Sequence, residues 1–234
     1  MNQRRVVITG LGQISPVGND VETAWQNLLA GKSGIGRITK FDASDVSCQI
    51  AGEVKDFDIS QYLTAKEARR MDSFIHYGIA GALQAIKDAR LDEFAELDKD
   101  RVGVNIGSGI GGLPLIEETS RNVVAGGARK INPFFIPGSL INLISGHITI
   151  LKGYRGHNYG IVSACASGTH AIGESARLIK YGDVDVMIAG GAESAVCTLG
   201  VGGFAAMKAL STRNDDPAAA SRPWDKDRDG FVMG

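Results

Sequence analysis

Apolar positions along this chain fall into two rhythms. Short runs rich in β-branched residues recur: Val6-Val7-Ile8-Thr9 before Gly10, Val102-Gly103-Val104-Asn105-Ile106 before Gly107, Tyr159-Gly160-Ile161-Val162, and Val184-Asp185-Val186-Met187-Ile188-Ala189 before Gly190. Such runs, bounded by glycine, predict buried strands. Between them apolar residues return at helical spacing. Residues 66–89 are the longest such segment, with Met71, Ile75, Gly78, Ile79, Ala82, Leu83 and Ile86 on one stripe, and they predict one amphipathic helix. Shorter helices are expected over 113–124, 140–151 and 171–181. Another follows Asn19 or Asp20 as cap, carrying Trp25, Leu28 and Leu29, with Gly31 past its end. Residues 31–63 and 211–229 show neither rhythm and predict irregular excursions. Gly200-Val201-Gly202-Gly203-Phe204 predicts a glycine turn, and Pro133-Phe134-Phe135-Ile136-Pro137 a fixed loop offering an apolar surface to a pocket or a partner subunit. From Val102 onward strand and helix alternate. The fold class is therefore α/β, with a mainly parallel sheet covered on both faces.

Composition narrows the function classes. The 234 residues are enough for one large domain, and 44% are hydrophobic. Lys plus Arg number 25 against 26 Asp plus Glu, so no global charge points to nucleic acid, and any electrostatic partner must meet a local patch. Lys66, Arg69 and Arg70 form one such cluster and Arg129-Lys130 a second. At the head of a helix the first three cations oppose the macrodipole, which suits either a solvated end or an acidic partner. No apolar run has the length of a membrane span. The three cysteines, Cys48, Cys165 and Cys197, lack disulfide or zinc spacing, which fits a reducing cytoplasmic setting.

Candidate chemistry concentrates at Ser163-Ala164-Cys165-Ala166-Ser167-Gly168, where an apolar run hands over to a helix-like segment. Free N–H groups in a first helical turn favour negative charge, which eases ionisation of a thiol, and the thiolate is the nucleophile. Small neighbours admit a second molecule; the plain alternative is a cysteine packed as a small hydrophobe. Two nucleotide-like signals are weaker. Gly10-x-Gly12-x-x-Ser15 lacks the third glycine of a dinucleotide turn, and Gly107-Ser108-Gly109-Ile110-Gly111-Gly112 lacks the lysine of a phosphate loop. Asp225-Lys226-Asp227-Arg228-Asp229-Gly230 opens like a calcium loop but has no twelfth-position glutamate. No metal and no cofactor is expected. Residues 230–234 look like the approach to a further strand, as if the chain were a piece.

Several of these motifs occur in one order. Val7-Ile8-Thr9-Gly10-Leu11-Gly12, Gly107 to Gly112, Pro133 to Pro137, Ala164-Cys165-Ala166-Ser167-Gly168, Ala189-Gly190-Gly191-Ala192-Glu193, Ala209-Leu210-Ser211-Thr212-Arg213 and Arg222-Pro223-Trp224-Asp225 resemble the β-ketoacyl-[acyl-carrier-protein] synthases, over the whole length. The resemblance implies a thiolase-like fold, a layered αβαβα architecture of which residues 1–234 form the N-terminal half, paired as a homodimer. It implies Cys165 as the acyl-accepting nucleophile in a decarboxylative condensation with malonyl-carrier protein. It also implies an acyl pocket near Ile110, Phe204 and the partner subunit's Phe135, and docking of acidic acyl carrier protein on Lys66, Arg69, Arg70, Arg129, Lys130 and Lys208. In the family two histidines and a lysine from the second half stabilise the enolate charge. None of His76, His147, His157 and His170 matches those motifs. His170 is expected to pack beneath Cys165, and His157 stands where relatives commonly have proline. The alternatives are a non-catalytic chain-length-type subunit of the same fold, against which Cys165 argues, and a nucleotide-binding module.

Overall fold

In the computed structural model, which describes residues 4–234, the central element is a three-stranded parallel sheet with helices on both faces. An extended N-terminal segment leads into α1 (Val21–Leu29) and the antiparallel pair β1 (Ile35–Arg37) and β2 (Ile50–Gly52). A one-turn α2 (Ala65–Ala68) precedes the long α3 (Ser73–Asp88). The middle strand β3 (Val102–Gly107) is followed by α4 (Leu113–Gly126), α5 (Phe135–Ser139) and α6 (Leu143–Lys152). Next come β4 (Asn158–Tyr159), α7 (Ser167–Tyr181), β5 (Val186–Gly191) and α8 (Thr198–Ala206). The sheet order is β4-β3-β5.

β3 shows how the sequence builds these layers. Val102, Val104 and Ile106 pack with Ile75, Ile79 and Ile86 of α3 and with Ile144 and Ile148 of α6. The alternate residues face α7: Asn105 Nδ2 donates to Ala171 O at 3.1 Å, and a Cβ on Gly107 would stand 2.9 Å from Ser167 O. A period of two thus sends branched side chains to one layer and small ones to the other. α7 can then lie close to the sheet. Its first turn meets the carboxyl ends of β3 and β5, the end of an open parallel sheet where ligands bind.

Several expectations are corrected. The continuous helix over residues 66–89 is broken, because the buried Asp72 caps α3 and accepts a hydrogen bond from Phe74 N. Lys66, Arg69 and Arg70 therefore sit on α2 and its exit, and the opposition to a long-helix macrodipole does not arise. Val6 to Thr9 form no strand, and Val7 and Ile8 are 61% and 80% exposed. A cleft of about 820 Å³ opens between residues 6–14 and β5, so no ladder closes. Gly10 and Gly12 instead rest on α3, where a Cβ would come within 2.2 Å of Ala85 O and 1.9 Å of Gly81 O. They allow contact between backbones, and the phosphate reading falls away.

Residues 31–63 are not wholly irregular, since β1 and β2 pair there and Glu53 accepts from Thr39 N and Lys40 N. The expected loop over 133–137 contains the start of α5, with Phe134 as its N-cap. The expected glycine turn over 200–204 lies inside α8. There Gly200 permits a close approach to Ala195 O, 2.0 Å from where its Cβ would be. The strand expected over 159–162 is reduced to Asn158–Tyr159, and Val162 is exposed. A second core cluster joins Ile50 and Ala51 of β2, Val201 of α8 and Met233. Gly52 N donates to Met233 O at 2.7 Å, which brings the last residues back beside β2.

Candidate active site

Three hydrogen bonds shape the turn that carries Cys165. Ser163 N donates to Ser167 Oγ at 2.9 Å, Ser167 Oγ donates to Ala164 O at 2.7 Å, and Ala166 N donates to Ser163 O at 3.2 Å. They wind residues 164–166 into a single 3-10 turn stacked on α7. Ala164 is held at φ 52°, a left-handed conformation that costs a residue with a Cβ about 1–2 kcal/mol. No side chain caps α7, so the N–H groups of its first turn remain without a side-chain acceptor beside Cys165.

The three cysteines separate by environment. Cys48 and Cys197 are buried, and burial pushes their thiols up, Cys197 to about 11. Cys165 is exposed. It opens onto a cavity of about 490 Å³ whose walls include Gly109, Ile110, Glu193, Phe204 and Phe231. The structure therefore places Ile110 and Phe204 on the same cavity as Cys165. Phe135, half-buried on α5, is not part of that wall.

The basic residues lie elsewhere on the surface. Lys66, Arg69, Arg129, Lys130 and Lys208 are exposed, and Arg70 stacks on the Phe134 ring at 4.4 Å. That stacking sets the exit of α2 against the segment that follows Arg129-Lys130. Lys208 stands just beyond α8 at φ 56°. Of the histidines, His170 does not pack beneath Cys165 but is exposed, its Nδ1 2.7 Å from Ser163 Oγ. His76 Nε2 is 2.9 Å from Ala68 O, and burial lowers its affinity for a proton. His157 uses its carbonyl to accept from Val104 N, and nothing in the structure gives its side chain a role. Among the described residues no group of three His, Cys, Asp or Glu side chains is placed to hold a metal. In the calcium-like stretch Asp225 accepts from Asp227 N, and Asp229 from Thr212 N. No helix among the described residues is long and apolar enough to cross a membrane.

Sequence reasoning missed Glu193. Its carboxylate accepts from Ser108 Oγ at 2.8 Å and from Gly109 N, Ile110 N and Gly111 N at 2.7, 2.8 and 3.0 Å. A lone acidic residue after a glycine pair carries no sequence signal for this. The convergence of three N–H groups depends on how β3 and β5 are paired.

The assembled site is an exposed thiol at the carboxyl end of a parallel sheet, beside a partly apolar cavity. A thiolate there is chemically able to attack a thioester carbonyl, and Ile110, Phe204 and Phe231 line the apolar side of the space beside it. Residues 3–234 match the family described as Beta-ketoacyl synthase, N-terminal domain. The chain is 56% identical, over all 234 residues, to the 3-oxoacyl-[acyl-carrier-protein] synthase 2 of Vibrio cholerae serotype O1, and spans 56% of that relative's length. Among solved structures it resembles the ishigamide ketosynthase/chain length factor with a TM-score of 0.89 at 30% identity, over 99% of this chain and 56% of the other. It also resembles AntDE:AntF, a type II ketosynthase in complex with its acyl-carrier protein, with a TM-score of 0.76 at 26% identity, over 89% and 57%. The chain thus spans little more than half the length of these proteins. A thiolase-like α/β arrangement, an exposed cysteine at the strand-to-helix turn and the full-length match agree that this chain belongs to the β-ketoacyl synthase family, as its N-terminal domain.

Proposed function

We propose that this chain is the nucleophile-bearing half of a 3-oxoacyl-[acyl-carrier-protein] synthase of fatty-acid elongation. The observation that carries the proposal is Cys165, exposed on its turn at the mouth of the cavity lined by Ile110 and Phe204. In the first step the Cys165 thiolate attacks the acyl thioester, an S–C bond forms, and the carrier's thiolate leaves and takes up a proton. Malonyl-carrier protein then loses carbon dioxide, and the resulting carbanion attacks the Cys165 thioester. A C–C bond forms, the cysteine is released, and the product is a 3-oxoacyl-carrier protein two carbons longer. The family resemblance assigns charge stabilisation in that second step to two histidines and a lysine of the second half.

Partners follow from the same reading. Acyl carrier protein is acidic, so the exposed Lys66, Arg69, Arg129, Lys130 and Lys208, with Arg70, form a sensible docking patch on a chain of net charge −1. The carrier-bound ketosynthase among the structural relatives supports that partner class. The enzyme is proposed to work as a cytoplasmic homodimer, with Phe135 reaching the pocket of the partner subunit. The alternative of a non-catalytic chain-length subunit is disfavoured because the thiol is present and accessible.

Intact mass after incubation with acyl-carrier protein tests this, on protein of the length of the relatives. One acyl adduct is expected on the parent and none on Cys165→Ala. An adduct of equal yield on Cys165→Ala overturns the assignment.

A further inference from the structure

Beside the Cys165 cavity, three consecutive backbone N–H groups, those of Gly109, Ile110 and Gly111, converge on the carboxylate of Glu193, and Ser108 Oγ adds a fourth donor. Successive amides turned inward form a concavity suited to an anion, and here the protein fills it with its own side chain. Bonds to an ionised acceptor are about twice as strong as neutral ones. Among the described residues the loop's other bonds are few, and one of them runs from Leu113 N to Gly111 O at 2.8 Å. Gly111 N also reaches Ser108 Oγ at 3.2 Å, and Gly112 N reaches Ser139 O at 3.2 Å. Gly111 stands at φ 77°, and a Cβ on Gly109 would lie 3.0 Å from both Ala164 O and Glu193 Oε2. The loop is therefore bonded to the carboxylate, and Gly109 packs close to Ala164, the residue before Cys165.

We propose that Glu193 is a positioning residue that fixes the wall of the acyl cavity by clamping residues 108–111, and so sets discrimination by acyl-chain length. This rests on the acyl-acceptor reading of Cys165. Ile110 is the branched side chain on the clamped loop, and it lines the cavity together with Phe204. A methylene packed against a fixed apolar wall strengthens binding about fourfold, and a wall that must first be ordered returns less. Glu193→Gln keeps the side-chain volume but turns an amide NH₂ toward N–H donors, so it is not a conservative change at this position.

Two measurements separate the clamp from its consequence. Hydrogen exchange at the amides of 109–111 reads the clamp without acyl transfer, and faster exchange is expected in Glu193→Gln than in the parent. Transfer to Cys165 from a series of saturated acyl thioesters reads the consequence. The rise of kcat/KM with chain length should flatten in Glu193→Gln, with a loss of about tenfold for the longest chain, mostly through KM. Ser108→Ala removes one donor of the four and should shift both readouts the same way by less, which keeps the test open if Glu193→Gln folds poorly. Unchanged exchange overturns the clamp. Faster exchange with an unaltered chain-length profile, or an equal loss at every length, overturns the specificity role. A parent that accepts no acyl group at Cys165 while exchange still rises overturns the acyl reading and the specificity claim, and leaves the clamp demonstrated.

Discussion

Two glycines, one packed against the start of α7 and one on it, show how much depends on single positions. A Cβ on Gly107 would lie 2.6 Å from Ile161 O and 2.9 Å from Ser167 O, both of them backbone. Gly173, on α7, has beyond its own helix no heavy atom of the described residues within 4 Å of where its Cβ would be. The same substitution should therefore have opposite signs. Gly107→Ala is expected to destabilise by about 1–3 kcal/mol through overpacking against the start of α7. Gly173→Ala should stabilise by up to about 1 kcal/mol through helix propensity. Urea denaturation of both variants checks the pair, and equal effects would show that the close approach at Gly107 is not what constrains it. The three cysteines divide on the same scale. Sequence spacing singled out Cys165 by its small neighbours, but burial of Cys48 and Cys197 became visible only in the fold.

At the level of elements, Asp72 serves two helices at once. It caps α3, accepting from Phe74 N, and its Oδ2 accepts from Leu115 N in the first turn of α4 at 2.7 Å. α4 directly follows the glycine loop of the site. One carboxylate therefore ties the N-termini of two helices 40 residues apart in the chain and breaks the helix that periodicity had predicted as continuous. Asp72→Ala removes a cap and leaves Leu115 N without its acceptor, at a cost of about 2–3 kcal/mol. Asp72→Asn retains an acceptor oxygen and should recover part of the loss. Chemical denaturation of the two variants measures this, and equal losses would assign the effect to charge rather than to capping. The stripe of Ile75, Ile79, Ala82 and Ile86 was legible because it follows α-helical spacing. The break at Asp72 was not, because its second partner lies in α4.

Across the whole molecule, Asp185 joins three distant segments. It binds Arg4 Nη1 at 2.7 Å and Arg101 Nε at 2.5 Å, tying the N-terminal segment to the starts of β3 and β5. The two guanidiniums hold its carboxyl at about 2, below the ordinary carboxylate range. A depressed acid stabilises the fold above its unfolded pKa, and that contribution is lost as pH falls through the folded value. The side chain is 49% exposed, so the effect is screened to about 1 kcal/mol or less. Asp185→Asn should accordingly be less stable than the parent near neutral pH, and the gap should close between about pH 4 and pH 2. A gap that persists at low pH would assign the loss to something other than these ion pairs.

Local pattern alone specifies the α/β class, the strands β3 and β5, the apolar stripe of α3 and the small-residue turn at Cys165. Each is written in local periodicity or in adjacent residue types, which act through contacts a few residues apart. It takes the folded chain to show that Val6 to Thr9 form no strand, that glycines at 200–203 lie inside a helix, that His170 is exposed, and that Glu193 gathers three amides of the loop at 109–111. Those outcomes rest on pairs such as Glu193 with Gly109 and Gly10 with Ala85, more than 70 residues apart. Packing brings them together, and no local pattern records it.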